Sequence, residues 1–211
     1  QQIPPGFSIE SLNVDRHGRL WIGTWGGGLF VRKLTGEIEE VSISRTYDGP
    51  RSANLRSVIN IHIDDQDLIW LGTAFGGVVK LSPRGGFSYL GNQPNQVTGL
   101  LDNHVRCITA AKDGTIWFGT NGGGLHEWKK GRQPVAREDF EMRKVKAIAI
   151  NENNLPLVGG NEGLQSLDIV DRIASLAGEM QEVSALQREE GGSLWEGYQN
   201  DGLTYLPGPH R

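Results

Sequence analysis

Residues 20–29 read LWIGTWGGGL, and this stretch decides the fold because it returns along the chain. Three further copies keep the tryptophan and the glycine two residues after it: IWLGTAFGGV at 69–78, IWFGTNGGGL at 116–125 and LWEGYQNDGL at 194–203. A weaker copy, LPLVGGNEGL at 155–164, has Leu157 in the tryptophan position. We call Trp21 and its four counterparts the anchors. They lie about 40 to 50 residues apart, a spacing typical of one four-stranded propeller blade per repeat.

Aliphatic residues also precede every anchor at two fixed distances. At the position twelve residues before the anchor, the five repeats have Ile9, Val58, Val105, Val145 and Val183. At the position nine residues before it, they have Leu12, Ile61, Ile108, Ile148 and Leu186. This agreement sets the repeat register. It predicts an all-β chain, a β-propeller of about five four-stranded blades, with part of a larger propeller as the alternative.

The third repeat indicates how one blade runs. Residues 105–111 form the inner strand, and Asp-Gly within 112–114 makes a hairpin turn because it tolerates positive φ. Residues 115–120 and 125–128 form the next two strands, with a glycine-rich turn between them. Residues 134–140 supply the outer strand, where a proline is tolerated because one edge is unpaired.

We expect a single β-propeller domain over residues 1–211. The predicted blades span approximately 7–47, 55–92, 103–141, 143–179 and 181–207. The last repeat supplies only three plausible strands, so a closed ring needs its outer strand from the N-terminus. The alternative is a piece of a larger ring, trimmed or completed by another chain.

The repeated tryptophans and glycines are interpreted as structural. Stacked blades need large apolar side chains, and the four tryptophans supply them: Trp21, Trp70, Trp117 and Trp195. The glycine two residues after the anchor allows close approach of a neighbouring backbone, as expected at Gly23, Gly72 and Gly119. Neither role requires a ligand.

The segment 15–24, DRHGRLWIGT, followed by Gly27-Gly28-Leu29, resembles the two-component regulator propeller repeat. Repeats one to three match well, the fourth lacks the tryptophan and threonine, and the fifth has Glu196 and Tyr198 in place of isoleucine and threonine. The resemblance implies an extracytoplasmic sensor domain in signal transduction, often responding to polysaccharides. It therefore implies a periplasmic or extracellular location, with a cytoplasmic one left open.

Ligands of propellers bind where loops converge at the mouth of the central channel, and variable loops on a fixed scaffold carry binding. The turns after Gly-Thr are expected at this channel mouth, and they carry Trp25, Phe75, Asn121, Glu162 and Asn200. The links into the inner strands add Arg56, His104, Arg106 and Lys144. Each of these residues could instead have a purely structural role, such as packing on a neighbouring blade for Trp25 and Phe75. Aromatic rings beside arginine and asparagine suit a sugar or small polar ligand.

Composition narrows the function. The net charge of −4 and the lack of a basic patch exclude nucleic acid as a partner, and no apolar run is long enough for a membrane span. The five histidines lack metal-ligand spacing, so the sequence predicts no metal site. It also predicts no cofactor and no catalytic residue.

Three hypotheses remain. The first is a non-catalytic ligand-binding or sensor propeller, which takes a small molecule or oligosaccharide. The second is a protein-interaction scaffold with a protein partner. The third is a glycosidase or lyase, for which the inner strands offer Glu10, Glu182 and Glu189.

Overall fold

The computed structural model describes residues 3–43, 55–82, 86–92, 99–166, 181–189 and 191–208. Eighteen strands and no α-helix are found in these ranges. The chain divides into two compact units, Gln1–Ile108 and Thr109–Arg211.

Five antiparallel sheets follow one another, and strands adjacent in a sheet are consecutive in sequence. Three sheets have four strands: β1 (Ser8–Val14), β2 (Leu20–Trp25), β3 (Gly28–Arg32) and β4 (Ile38–Val41); β5 (Val58–Ile63), β6 (Ile69–Thr73), β7 (Val78–Leu81) and β8 (Phe87–Leu90); β9 (Val105–Ala110), β10 (Ile116–Thr120), β11 (Leu125–Trp128) and β12 (Val135–Ala136). Two have three strands within the described ranges: β13 (Val145–Ile150), β14 (Pro156–Gly160) and β15 (Gly163–Ser166); β16 (Val183–Arg188), β17 (Leu194–Tyr198) and β18 (Leu203–Leu206). This succession of four-stranded meanders is that of a β-propeller, so the predicted fold class is confirmed.

The predicted outer strands differ from repeat to repeat. In the third repeat, the strand expected over 134–140 is reduced to the two residues of β12. Residues 44–47 of the first predicted blade and 167–179 of the fourth lie outside the described residues.

The strand register repeats as the sequence predicts. In four sheets the residue twelve before the anchor pairs with the residue three after it: Ile9 with Thr24, Val58 with Thr73, Val145 with Gly160, and Val183 with Tyr198. A β-bulge directly follows each of these pairs. Because a bulge bends its strand, the same irregularity at the same position gives these inner strands a common shape.

The turn between the first two strands of every sheet also closes in one way. The residue six before the anchor donates its main-chain N–H to the carbonyl four residues later, and this holds for Asp15, Asp64, Ala111, Asn151 and Glu189. The residue three after it has positive φ in each repeat, which suits glycine or asparagine better than aspartate: Gly18, Asp67, Gly114, Asn154 and Gly192. The turn predicted at Asp-Gly in the third repeat is therefore confirmed.

A carboxylate at the start of this turn also positions the anchor tryptophan. Asp64 Oδ1 accepts the main-chain N–H groups of Gln66 and Leu68, and its Oδ2 accepts the indole N–H of Trp70 at 2.9 Å. Asp15 serves the first repeat in the same way. One side chain thus closes the turn and satisfies a buried indole.

The third and fifth repeats differ from these two in the group that accepts the indole N–H of the anchor tryptophan. Glu189 accepts the indole N–H of Trp195 at 2.9 Å, so a longer carboxylate replaces aspartate. In the third repeat the position is Ala111, and the buried indole N–H of Trp117 has no hydrogen-bond partner among the described residues. Trp117 is therefore held by packing, whereas the other anchor tryptophans are also hydrogen-bonded.

Close packing between successive sheets explains the glycine of the repeat. A Cβ added to Gly23 would lie 2.7 Å from the carbonyl oxygen of Val58 and 2.9 Å from its Cγ1. The same approach joins Gly72 to Val105 and Gly159 to Val183. Real Cβ atoms do not tolerate such distances, so close packing requires glycine at Gly23, Gly72 and Gly159.

The threonine of the motif is structural too. In three repeats its hydroxyl donates across the next turn to a glycine carbonyl: Thr24 to Gly28, Thr73 to Gly77 and Thr120 to Gly124, at 2.9 to 3.0 Å. In the last repeat Tyr198 replaces it, and its hydroxyl donates to the buried carboxylate of Glu196 at 2.5 Å. Trp195 of that repeat is only half-buried, with its ring centroid 4.6 Å from that of Tyr205 and the two planes inclined by 46°, whereas the other three anchor tryptophans are buried.

Candidate functional site

The turns after Gly-Thr and the links into the inner strands lie side by side. A main-chain N–H in each turn donates to a carbonyl of the next link: Gly28 to Arg56 at 2.7 Å, Gly77 to Asn103 at 2.8 Å and Gly124 to Arg143 at 2.9 Å. Both sets of candidate residues therefore occupy the same end of their sheets. This regular backbone leaves the side chains free to vary from repeat to repeat.

Three rings from successive repeats form a continuous surface in the first unit. Trp25 and Phe75 meet edge to face with centroids 5.9 Å apart, and Phe75 meets His104 in the same manner at 6.0 Å. Trp25 is 44% exposed and Phe75 is 53% exposed, while His104 is half-buried. We call these three residues the aromatic row. Edge-to-face contacts hold the rings in place, and their outer surfaces remain open to a ligand.

Two arginines border the aromatic row. Arg56 donates from Nε to the carbonyl of Gly26 at 3.2 Å, which fixes it beside the turn that carries Trp25. Arg106 follows His104 by two residues on β9. Both side chains are exposed, and neither forms an ion pair with any described residue. The row is therefore bordered by two positive charges that no carboxylate among the described residues pairs with.

His104 is held in its neutral form. Burial lowers its pKa below the ordinary value, the positive charge of Arg106 lowers it further, and Asp102 opposes the shift. Asp102 also accepts the main-chain N–H of His104 at 3.0 Å, which orders the link. At neutral pH the row therefore presents an uncharged imidazole beside two permanent cations.

We expect the stability of the first unit to fall in mild acid. His62, whose Nε2 is buried without a hydrogen-bond partner among the described residues, also has a pKa lowered by burial, with Asp64 opposing. Because both histidines titrate below 6.5 when folded, the unfolded chain binds protons first as the pH falls through 6.5. Stability is then full above 6.5 and decreases below it.

Urea unfolding at about pH 7.5 and about pH 5.5 measures this dependence, since histidine is the side chain that titrates between them. The double variant His62→Gln, His104→Gln should lose most of the difference between the two midpoints. An equal drop in the variant and in the unaltered chain would contradict this assignment.

The candidate residues of the second unit are more scattered. Lys144 and Asn200 are exposed, and Asn121 and Glu162 are half-buried. Among the described residues of this unit, no hydrogen bond or ion pair joins any two of these side chains. The structure thus groups the first unit's candidates into one surface and leaves these four as separate positions.

A polar cluster in the second unit was missed by sequence reasoning. Lys146 donates to Gln199 Oε1 at 3.0 Å and forms an ion pair with Glu182. Its signal was a single cation inside the apolar strand VKAIAI. The cluster gives Glu182 a partner, and Glu189 accepts the indole N–H of Trp195, so two of the three carboxylates considered for catalysis serve the framework.

Within the described ranges, no three His, Cys, Asp or Glu side chains come together in an arrangement able to hold a metal ion. No helix in those ranges has the length and apolar character needed to cross a bilayer.

The sequence matches the family described as Two component regulator propeller at residues 2–26 and 99–122. The first segment contains residues 15–24, on which the resemblance rests, and the second contains the start of the third repeat through Thr120. The resemblance is thereby confirmed. No curated protein matches the chain significantly in sequence.

Solved structures share the fold at low identity. The extracellular domain of BT4673 from B. thetaiotaomicron, assigned to the hybrid two component systems, superimposes with a TM-score of 0.74 at 16% identity, over 94% of this chain and 27% of that one. PorZ of Porphyromonas gingivalis, a surface component of the type-IX secretion system, gives 0.72 at 18%, over 98% and 33%. Virginiamycin B lyase from Staphylococcus aureus gives 0.65 at 15%, over 96% and 70%. The chain therefore spans about a quarter to a third of the first two proteins.

Proposed function

Since the chain carries two-component regulator propeller repeats, we propose that it is a non-catalytic, ligand-binding propeller of the sensor type. It recognises a glycan or another small polar ligand through the aromatic row. It works in the periplasm or outside the cell, a location supported by its likeness to the extracellular domain of BT4673. The observation that carries the proposal is the exposure of Trp25 and Phe75 in a fixed edge-to-face arrangement.

The chemistry of the row suits a sugar. Pyranose rings have an apolar face that packs on an aromatic ring, while their hydroxyl groups need polar neighbours. Arg56 and Arg106 supply hydrogen-bond donors at the edge of the row and would pair with carboxylate or sulfate substituents. Because His104 is neutral, it can both donate and accept.

Catalysis is the weaker alternative, although virginiamycin B lyase shares the fold. A shared fold does not establish a shared activity, because proteins with the same fold differ in the residues of their functional sites. In this chain Glu182 and Glu189 are engaged in the framework, and Glu10 is exposed on β1. The aromatic row contains no carboxylate that could act as a general acid or nucleophile.

A glycan panel tests the proposal. Neutral and uronate- or sulfate-bearing oligosaccharides are titrated against the purified chain by calorimetry, with tryptophan fluorescence as a second readout. Trp25→Ala should weaken binding at least tenfold, which corresponds to about 1.4 kcal/mol. The control is Tyr205→Ala, an aromatic residue of nearly equal exposure (45%) on the last sheet, which should leave affinity unchanged. Equal losses in the two variants, or no binding by any member of the panel, would sink the proposal.

A further inference from the structure

The charge around the aromatic row is opposite in sign to that of the whole chain. The turns and links at this end of the first unit are residues 6–8, 24–28, 55–57, 74–77 and 99–106. Their charged residues are two arginines and one aspartate, whereas the chain as a whole carries −4. The aspartate is Asp102, whose Oδ1 already accepts the main-chain N–H of His104 at 3.0 Å. A ligand that reaches the row therefore meets an excess of positive charge.

The repeat framework requires neither arginine. At the position of Arg56, fourteen residues before the anchor, the other repeats have Phe7, Asn103, Arg143 and Gln181. At the position of Arg106, eleven residues before the anchor, they have Glu10, Ile59, Lys146 and Ser184. Apolar, polar, acidic and basic side chains are thus all compatible with these backbone positions. The fold by itself does not account for the two arginines, and variable positions on a fixed scaffold are where binding residues occur.

Both guanidinium groups can pair with an anion. The carbonyl of Arg56 accepts the N–H of Gly28 at 2.7 Å, and its Nε donates to the carbonyl of Gly26 at 3.2 Å. These bonds fix Arg56 beside the turn of Trp25 and leave its two Nη groups without a partner among the described residues. Arg106 is exposed on β9. Because a guanidinium presents N–H groups in one plane, it matches two oxygens of a carboxylate or a sulfate.

His104 responds to the same anion. Its ring contacts Phe75, and the turn that carries Phe75, residues 74–77, contains no charged residue. Arg106 on β9 and burial lower the pKa of His104, and Asp102 in the link opposes them. An anion bound at the row would act on His104 in the same sense as Asp102, so it would favour the protonated imidazole.

We propose that the aromatic row selects acidic glycans, in which a sugar ring packs on Trp25 or Phe75 while uronate or sulfate groups pair with Arg56 and Arg106. This inference rests on the proposed function, since it names the class of glycan that the row takes. The exposed rings favour a glycan over a simple anion, because an inorganic anion has no apolar face to cover them. A neutral sugar would keep the ring contacts and forgo the charge pairing, so it would bind more weakly.

Two matched pairs of ligands test the charge requirement by calorimetry at low ionic strength, where exposed ion pairs are least screened. Oligogalacturonate is compared with its methyl ester, and a sulfated galactan oligosaccharide with its desulfated form. In at least one pair the acidic member should bind at least tenfold more tightly, and Arg106→Gln should remove most of that difference. The control Arg132→Gln changes an exposed arginine between β11 and β12, at the opposite end of its sheet from residues 121–124, and should preserve the difference.

The pH profile of binding gives a readout that a purely structural role of these residues would not change. Uronate and sulfate groups keep their charge between about pH 7.5 and about pH 5.5, whereas a histidine gains a proton over this interval. The affinity for the acidic ligand should therefore rise severalfold as the pH falls. The rise should persist in His62→Gln, which changes the other histidine of this unit whose pKa is lowered by burial, and disappear in His104→Gln. Circular dichroism at both pH values establishes that each variant is folded.

Failure of this inference differs from failure of the proposed function. If neutral members bound as tightly as their acidic partners and Trp25→Ala weakened both, the glycan-binding function would stand and the acidic class would be overturned. The same conclusion would follow if Arg106→Gln left the difference unchanged, or if the pH profile of the unaltered chain were flat. Equally tight binding of polyaspartate, which has no sugar ring, would show that the surface attracts any polyanion and would also overturn the inference. Binding by no ligand of either pair would overturn it together with the proposed function.

Discussion

Replacing Gly23 with alanine is expected to destabilise the first unit by about 2–3 kcal/mol, the cost of overpacking a tight contact. The added methyl group would stand 2.7 Å from the carbonyl oxygen of Val58 and 2.9 Å from its Cγ1. Neither atom can move alone, because Val58 lies in β5 and is completely buried. The two sheets must separate, which also loosens the apolar cluster between them.

The matched control is Gly197→Ala, at the same repeat position in the last sheet. Its new methyl group would meet only the Cβ of Ala185, 3.2 Å away and exposed, so the loss should stay below about 1 kcal/mol. Urea unfolding followed by tryptophan fluorescence gives both values. Comparable losses at the two glycines would show that alanine is poorly tolerated in the second strand itself, and that the packing between sheets is not the cause.

Asp64→Ala is the second substitution for which we expect a large loss, about 3 kcal/mol. It removes the acceptor of two main-chain N–H groups and of the indole N–H of Trp70, whose side chain has no exposed surface. A buried donor without a partner costs about 1–3 kcal/mol in addition to the turn that is lost. The urea midpoint of the first unit should fall accordingly.

Two variants separate the contributions. Asp64→Asn keeps an oxygen for the turn, as Asn151 does in the fourth repeat, and loses chiefly the indole bond, so its effect should be intermediate. Ala111→Asp supplies the missing acceptor for Trp117 and should raise stability by about 1 kcal/mol. If Asp64→Asn were as damaging as Asp64→Ala, the indole bond would carry the whole effect.

The framework was predictable because it is repeated. Five copies of one pattern identify the anchors, the upstream aliphatic residues and the positive-φ turn, and local backbone chemistry then settles each strand pair. The bulge after Ile9 and its counterparts was not predictable, since it depends on how two strands share hydrogen bonds. The function of Asp15 and Asp64 as indole acceptors also emerged only from the fold.

The candidate site was predictable only as a set of positions. Variation between repeats singled out Trp25, Phe75 and His104, which are separated by about 30 to 50 residues in sequence. That their rings touch depends on the stacking of three sheets, and so does the depressed pKa of His104. The grouping of Lys146, Glu182 and Gln199 was missed for the same reason.

The sequence by itself determined the fold class, the register of the repeats and the ends of the strands at which variable residues lie. Those properties follow from local periodicity, which a one-dimensional pattern contains in full. Only the tertiary structure decided which equivalent residues are covered, since burial depends on the sheet opposite. Asp15 and Ala111 occupy the same repeat position, yet only Asp15 accepts an indole N–H, and Val58 is completely buried because Gly23 of the preceding sheet lies against it.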